Sequence, residues 1–497
     1  MDVKRLVEIQ EERGASNIAA ESETKSIDAV INECRRYIQE RSDEYRDLES
    51  DNKRDAIKKL IVDFVMQYKY SVKGFVDSEG KLDTNKLIDR LVEDITDYGI
   101  LTLAINDPEV YEIRCNGKEI KIERKGRIYD LTDKDGKIVS FESVEQQNII
   151  MRRLLGDVRL TPKDAVVSAR TVEGYRIAAV HSSALGNDPN DPTNDGFHAF
   201  VLRKFRKSKM TLGDIVKYRT MSDNMARLLS LSTAGGLAFA TVGPTASGKT
   251  STNNAILQTV PLDLRVVLLQ NPSEIDLRIK DATGRVINDV VHLEAKEKDN
   301  PSPTDPTMPN LMSQILRFSP TLVCFGELRT NKEFMLGMTI LQAGHPINLT
   351  FHAEDAMGAL QRFLTAYMAE SGETIETALP ALTSLLNLII VQKIMRDGTR
   401  KVLQITEVIG VDPNDKTRPL LNDLYIFEPT GKTVYDATGK IKEIPGIHKR
   451  VGKLSKKTID KLKLEGVNES RFDFLLKDPD PNEVETYTGE NIERYGM

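Results

Sequence analysis

The stretch GLAFATV (236–242), followed by GPTASGKTS (243–251), decides the fold. A short apolar run enters a glycine-bounded loop, and the helix-compatible KTSTNNAILQ (249–258) leaves it, so the segment reads as strand, loop and helix. Residues 243–250 satisfy G-x-x-x-x-G-K-[ST], a loop whose backbone N–H groups converge on the phosphates of a nucleotide. Gly243 and Gly248 are required because side chains there would block the approach. Lys249 is placed to reach the β- and γ-phosphates, and the Thr250 hydroxyl to coordinate Mg²⁺. The helix starting near Lys249 points its positive end at the anion. Pro244, Thr245, Ala246, Ser247 and Ser251 complete the expected contact.

Downstream, short apolar strands alternate with amphipathic helices: LRVVLLQ (264–270), a helix over 311–318, TLVCFGE (321–327), a helix over 332–343, and strands at 388–395, 401–409 and 424–427. This alternation predicts an α/β fold with a parallel sheet covered on both faces. Glu327 follows one of these strands. Its carboxylate is therefore expected at the C-terminal edge of the sheet, facing the same crevice as the loop, where it would serve the metal and the attacking water. His345 and His352 flank the apolar Pro346–Phe351, a spacing that is not that of a metal site.

Upstream, residues 1–95 read as a polar helical segment, with apolar positions at three- and four-residue spacing in 57–72 and 82–95. From Val110 the period becomes two, predicting a hairpin around Lys125-Gly126 and another around Glu173-Gly174, with a helix over 144–155 between them and a strand over 197–205 after them. The expected organisation is thus 1–95 helical, 96–206 a smaller α+β domain, 207–222 a linker, 223–430 the nucleotide-binding domain and 431–497 a C-terminal extension. That extension is split by charge: 431–464 holds ten Lys/Arg against three Asp/Glu, and 465–497 three against nine. The basic part contains one aromatic residue, Tyr435, which disfavours nucleic-acid binding by base stacking. A membrane surface or an acidic partner fits it better.

Composition is consistent with a large globular chain. Its 497 residues carry 69 Lys+Arg against 75 Asp+Glu, and the net charge of −6 excludes a protein that coats nucleic acid by bulk electrostatics. The three cysteines, Cys34, Cys115 and Cys324, are too far apart for a CxxC pair and suggest a reducing, cytoplasmic setting. The charged N-terminus lacks the apolar core of a signal peptide. The most apolar window, Ala378–Val391, is too short to span a bilayer and is broken by Pro380, Ser384 and Asn387.

These motifs together resemble the ATPases of type II and type IV secretion systems, most closely the CpaF/TadA-type ATPases of tight-adherence pili. GPTASGKT matches the family's Walker A motif, LVCFGELR (322–329) its Walker B segment and AGHPINLTFHAED (343–355) its histidine box. Residues 98–117, 168–180, 201–205 and 391–410 resemble further family segments in the same order. The resemblance implies a RecA-like P-loop ATPase domain preceded by a PAS-like α+β domain, six copies in a ring, and ATP with Mg²⁺ as ligands. It gives Glu327 the Mg²⁺ and water role, with Arg329 beside it. It gives His345 and His352 the coupling of the nucleotide site to its neighbours. Arg176 and Arg203, with Arg170, would contact the phosphates from the N-terminal domain.

The implied function is a hexameric ATPase, cytoplasmic and peripheral to the inner face of the membrane, that drives pilus assembly or protein secretion through an inner-membrane platform protein. No direct nucleic-acid binding is expected. In the family's acidic box the stretch LQNPSE (269–274) places Gln270 and Asn271 where two carboxylates are usual, leaving Glu274 as the acid. Thr321 similarly replaces an aspartate. An amide cannot take a proton from water at neutral pH, so a weakly hydrolysing nucleotide-binding adaptor ring is one alternative and an ATPase of conjugative DNA transfer another. The proline-rich 295–310 reads as an insertion.

Overall fold

The computed structural model describes residues 25–41, 50–67, 72–76, 82–124, 127–133, 135–186, 196–204, 210–271, 275–296, 304–490 and 492. The chain divides into two compact units, 1–208 and 209–497.

In the first unit, helices α1 (Ile27–Glu40), α2 (Ser50–Gln67) and α3 (Thr84–Thr96) pack around Cys34, Ile38, Ile61, Leu87 and Leu91. The short α4 (Thr102–Asn106) leads into β1 (Val110–Asn116), β2 (Glu119–Arg124) and β3 (Arg127–Asp130). Helix α5 (Val144–Leu155) starts at Ser143, whose side chain accepts from the Gln146 N–H, and stops at Gly156, whose φ is +63°. Then come β4 (Val166–Arg170), β5 (Arg176–Val180) and β6 (Ala199–Arg203). Among the described residues these strands form one sheet in the order β3-β2-β1-β6-β5-β4. Period-two alternation puts Ile113, Ile122, Ile177 and Leu202 against α5, and the charged residues on the other face. The turn at Lys125-Gly126 lies outside the described residues.

The second unit opens with α6 (Leu212–Lys217), inside the stretch read from sequence as a linker. A capping box between Thr211 and Asp214 starts it, and Leu212, Ile215 and Val216 are buried, so three apolar anchors dock this short polar stretch. Next in order are α7 (Asp223–Ala234), β7 (Phe239–Val242), α8 (Lys249–Leu257), β8 (Val266–Gln270), β9 (Val290–Glu294), α9 (Met308–Gln314), β10 (Leu322–Phe325), α10 (Asn331–Gln342), β11 (Ile347–Phe351), α11 (Ala356–Ser371), α12 (Ile375–Leu385) and β12 (Leu388–Ile394). The hairpin β13 (Arg400–Asp412) and β14 (Asp415–Pro429), the ribbon β15 (Val434–Tyr435) and β16 (Ile441–Glu443), β17 (Gly446–Arg450) and α13 (Lys456–Leu464) complete it.

The main sheet runs β17-β14-β13-β12-β7-β11-β10-β8-β9 among the described residues. Strands β12, β7, β11, β10, β8 and β9 are parallel, and β13, β14 and β17 add antiparallel strands at one side. With the edge strand β9 set aside, the parallel core reads fifth, first, fourth, third, second in chain order, the RecA-like arrangement. Strands β7, β8, β10 and β11 are buried along their whole length, as central parallel strands must be. Ile389 and Val391 of β12 face one core with Phe334, Phe351 and Phe363, while Leu388 and Ile390 face the other with Met225, Leu228 and Ile256.

The C-terminal residues fold back onto this unit. Leu454, Leu462, Val467, Phe472 and Leu475 join the second of those cores. The Asp223 carboxylate accepts from Thr486 Oγ1 (2.6 Å), Thr488 N (2.9 Å) and Gly489 N (2.8 Å). Basic and acidic halves of the tail neutralise each other in part, Arg450 pairing with Glu483 at 2.8 Å and Lys453 with Asp478 at 2.7 Å. Among the described residues no helix is long and apolar enough to cross a membrane.

Candidate nucleotide site

The loop after β7 bends where only glycine fits. Gly243 has φ +150°, and a Cβ there would lie 1.9 Å from the Gln392 carbonyl oxygen. Gly248 has φ +92°, and its Cβ would meet Arg400 Cδ and Gln392 Nε2 at 2.9 Å. Ala246 also adopts positive φ, +62°, a conformation that costs about 1 kcal/mol or more and is characteristic of functional loops. Gly248 caps α8, so the N-terminal N–H groups of that helix open towards the loop. Pro244, Thr245 and Ala246 are exposed, Thr250 and Ser251 are half-buried, and Ser247 is buried.

Lys249 is buried and folded back into the loop. Its Nζ donates to Gly243 O (2.8 Å) and Pro244 O (2.9 Å) and stands 3.4 Å from His352 Nδ1. Burial pulls its pKa below the ordinary lysine value, and the Glu327 carboxylate works in the opposite direction. His352, one residue past β11, has its Nε2 3.1 Å from Glu327 Oε1 and its Nδ1 3.0 Å from Gly243 O. The contact to Glu327 requires a proton on Nε2. Neutral His352 then uses Nδ1 to accept from Lys249, whereas the imidazolium donates from Nδ1 to Gly243 O. Glu327 Oε2 also accepts from Arg329 Nε at 2.8 Å.

Backbone bonds fix the Glu327 segment. Gly326 N–H donates to Leu269 O (2.9 Å), Thr350 Oγ1 donates to Gly326 O (2.5 Å), and Leu328 N–H donates to Thr350 O (2.9 Å). The Arg329 and Thr330 N–H groups donate to Glu333, closing the capping box of α10. Loop, lysine, histidine, glutamate and arginine thus form one connected chain of contacts at the C-terminal edge of the parallel strands. Among the described residues no group of three or more His, Cys, Asp or Glu could by itself hold a metal. A Mg²⁺ shared with phosphate oxygens needs no such group, and the Thr250 hydroxyl and the Glu327 carboxylate would offer it hard oxygen donors.

Other expected residues fall elsewhere. His345 precedes β11 and faces Pro320 O at 2.9 Å, so it sits at the opposite edge of the sheet, about 16 Å away for a five-residue strand. Thr321, preceding β10, binds Arg265 at that same edge. Glu274 lies outside the described residues. Gln270 is buried at 1% exposure, and its amide grips one backbone unit: Nε2 donates to Ile275 O (2.8 Å) and Oε1 accepts from Ile275 N (2.7 Å). The residue therefore braces the loop after β8.

In the first unit, strand register sets Arg170 opposite Arg176, Arg176 opposite Arg203 and Arg203 opposite Glu112. The three arginines form one transverse row on the charged face of that sheet. Glu112, itself buried, accepts from Arg203 Nε (3.1 Å) and Nη2 (3.0 Å) and from Arg114 Nε (2.5 Å).

Two residues of the family-like segment 391–410, to which the sequence reading gave no role, touch the loop. Gln392 Nε2 donates to Ser247 O at 2.9 Å, and Arg400 Nε donates to Ala246 O at 3.3 Å. The clue in the sequence was a polar residue at the C-terminal end of an apolar strand, LNLIIVQ (386–392), the same pattern that exposed Glu327.

This fold and this loop define an α/β protein built around a glycine-bounded loop at the C-terminal edge of a parallel sheet. Residues 97–465 match the family model described as type II/IV secretion system protein, and the chain belongs to that family of secretion ATPases. The uncharacterized protein MJ0900 of Methanocaldococcus jannaschii is 25% identical over 247 residues, 49% of this chain and 40% of that protein. The conjugal transfer protein TrbB of Rhizobium radiobacter is 27% identical over 184 residues, 36% of this chain and 51% of that protein. The chain thus spans about half the length, or less, of these curated relatives. The X-ray structure of the Legionella pneumophila ATPase DotB aligns over 64% of this chain and 81% of that one, at 19% identity and a TM-score of 0.44.

Proposed function

We propose that this protein is a motor ATPase of the CpaF/TadA type, a homo-hexamer peripheral to the inner face of the cell membrane, which couples ATP hydrolysis to pilus assembly or protein secretion through an inner-membrane platform protein. The observation that carries the reading is the unbroken set of contacts from the loop through Lys249 and His352 to Glu327 and Arg329. The loop amides and Lys249 hold the β- and γ-phosphates, the ammonium exchanging the Gly243 and Pro244 carbonyls for phosphate oxygens. Glu327 orients the attacking water and takes its proton as the bond between the γ-phosphorus and the ADP oxygen breaks. Thr250 and Glu327 would hold Mg²⁺, which would supply charge neutralisation on the phosphates. Arg203 and Arg176 bring positive charge to the γ-phosphate, so that hydrolysis changes the closure of the ring. Glu274 acts as the second acid of the site.

The test is phosphate release by the wild type, Lys249→Ala and Glu327→Gln, with the solution mass of each measured in parallel. Turnover in the wild type and its loss in both variants is expected. A wild-type ring that turns over no faster than Lys249→Ala overturns the motor in favour of an adaptor ring that binds nucleotide and barely hydrolyses it. The name of the relative TrbB favours a second reading, an ATPase of conjugative DNA transfer. Neighbouring genes decide between these, pilin and prepilin peptidase supporting the first and relaxase and coupling protein the second.

A further inference from the structure

The parallel strand β12 reaches the nucleotide loop through a buried side-chain amide. Strand β12 lies parallel to β7 with Val391 opposite Val242, which sets Gln392 beside Gly243. The β12–β13 pairing shifts register next to this point, between Val391 and Gln392. Such bulges re-aim side chains near functional sites. Gln392 is 1% exposed. Its backbone carbonyl fills the space a side chain at 243 would need, and its Nε2 donates to Ser247 O at 2.9 Å.

The chemistry leaves one orientation of that amide, because a flipped side chain would set oxygen against the Ser247 carbonyl. In the orientation that remains, Gln392 Oε1 is buried with no hydrogen-bond partner among the described residues. Ser247 Oγ, on the loop itself, is in the same condition. A leucine or methionine in this place would leave no such orphan and would extend the apolar run of Leu388 and Ile390. Such a residue would also leave the Ser247 carbonyl without its Gln392 donor, so the bond made and the orphan oxygen roughly cancel and stability gives no strong preference for glutamine. What the amide uniquely provides is a fixed position for Ser247 O, and with it the direction of the loop N–H groups.

We propose that Gln392 is a positioning residue for the phosphate-binding loop, holding Ser247 and Gly243 in the geometry that grips nucleotide phosphates. This rests on the nucleotide-site reading above and adds to it a residue on a strand nearly 150 positions away in sequence. Arg400 Nε, bonded to Ala246 O from the adjacent strand, braces the outer side of the same loop.

The experiment titrates N-methylanthraniloyl-ADP into the full-length protein and measures the melting temperature without nucleotide. For Gln392→Leu the dissociation constant is expected to rise about tenfold while the melting temperature stays within a few degrees of wild type, since the lost bond and the removed orphan atom offset each other. A melting change with affinity within twofold of wild type overturns the proposal and leaves Gln392 a structural residue. Gln392→Glu supplies a second readout should the leucine variant not fold. Its ionised carboxylate faces the Ser247 carbonyl at pH 8, and its protonated form donates to it again near pH 5.5. Weak binding at pH 8 that recovers towards wild type at pH 5.5 is expected, and affinity tracking wild type at both pH values overturns the proposal. Lys249→Ala tests the underlying reading separately: if it binds the probe as wild type does, the nucleotide site itself is misassigned.

Discussion

Replacing Gln270 with glutamate would restore the carboxylate that related acidic boxes carry, and the geometry predicts that it damages the protein instead of activating it. The amide is buried and meets both polar groups of Ile275, donating to its carbonyl and accepting from its N–H. A protonated carboxyl reproduces both contacts. An ionised one sets negative charge against the Ile275 carbonyl at a buried position. The folded state of Gln270→Glu therefore holds the introduced carboxyl neutral, and its pKa rises above the unfolded value near 4.3. For a raised pKa the variant is as stable as wild type below the unfolded value and loses stability as pH climbs towards the folded one. At about 1.4 kcal/mol per pH unit, the deficit is about 1 kcal/mol at pH 5 and nearly 4 kcal/mol at pH 7. For a unit of this size that corresponds to a melting difference of about 2–4 °C at pH 5 and about 7–15 °C at pH 7. Thermal unfolding of variant and wild type at both pH values isolates the effect, because the pH dependence of the remaining groups cancels in the difference. Phosphate release is expected to gain nothing, since the side chain is committed to Ile275. A melting difference that is the same at pH 5 and pH 7, or a variant that hydrolyses ATP faster than wild type, refutes the reasoning.

Three further outcomes are expected. His448 is buried between Val402 O and the Tyr487 hydroxyl, and burial, with Lys401 adding to it, lowers its pKa to about 4. A depressed histidine pKa gives stability that is complete above the unfolded value near 6.5 and is lost as pH falls towards the folded one. Chemical unfolding should therefore show wild type losing about 2 kcal/mol more than His448→Gln between pH 7 and pH 5, and equal losses would refute the assignment. Asp223→Ala removes the acceptor for Thr486, Thr488 and Gly489 and should free the C-terminal segment around them, so that glutamyl endopeptidase cuts at Glu485 or Glu490 well before it does so in wild type. Equal cleavage rates would show the segment is held by other contacts. Gly243→Ala drives a methyl group into the Gln392 carbonyl and should lower both the melting temperature and nucleotide affinity, whereas unchanged values would mean the loop can shift freely.

What could be read from the sequence was what local pattern encodes. The strand before Gly243, the helix from Lys249, Glu327 after an apolar run and His352 at the end of another all lie within a few residues of their own signal, and the parallel sheet carries each to the same edge. The pairing of Arg170 with Arg176 also follows from the hairpin whose turn at Glu173-Gly174 was legible, and the β5–β6 register adds Arg203 to the row. The misreadings share a cause. Gln270 looked like a deficient catalytic acid because residue type was compared without burial, and it is the backbone at Ile275 that decides its role. Gln392 lay in the family-like segment 391–410 without a role, because its contact with the loop arises only when β12 lies beside β7, which depends on sheet order. Residues 210–222 and the tail looked polar on average, yet a few anchors, Leu212, Ile215, Val216, Leu462 and Phe472 among them, suffice to dock them.

Strand β11 shows why the polar residues of this site cannot be judged by hydropathy. Ile347, Leu349 and Phe351 alternate with Asn348 and Thr350, and the whole strand is buried, so the alternation does not mark a solvent face. The apolar residues enter the core built on Phe334 and Phe363. Three contacts hold the polar face from inside, although Asn348 Nδ2 finds no partner among the described residues: Asn253 of α8 donates to Asn348 Oδ1 at 2.5 Å, Thr350 donates to Gly326 O, and His352 continues the same face to Glu327 and the loop. One strand therefore ties the helix that starts at Lys249 to the segment that carries Glu327. Buried polar groups paired in this way resist sliding of either element, since any shift leaves a donor or acceptor unmet at a cost of about 1–3 kcal/mol each. The relative placement of lysine and glutamate is consequently set by the polar side of β11, and substitutions at Asn348 or Thr350 should disturb the site without touching it.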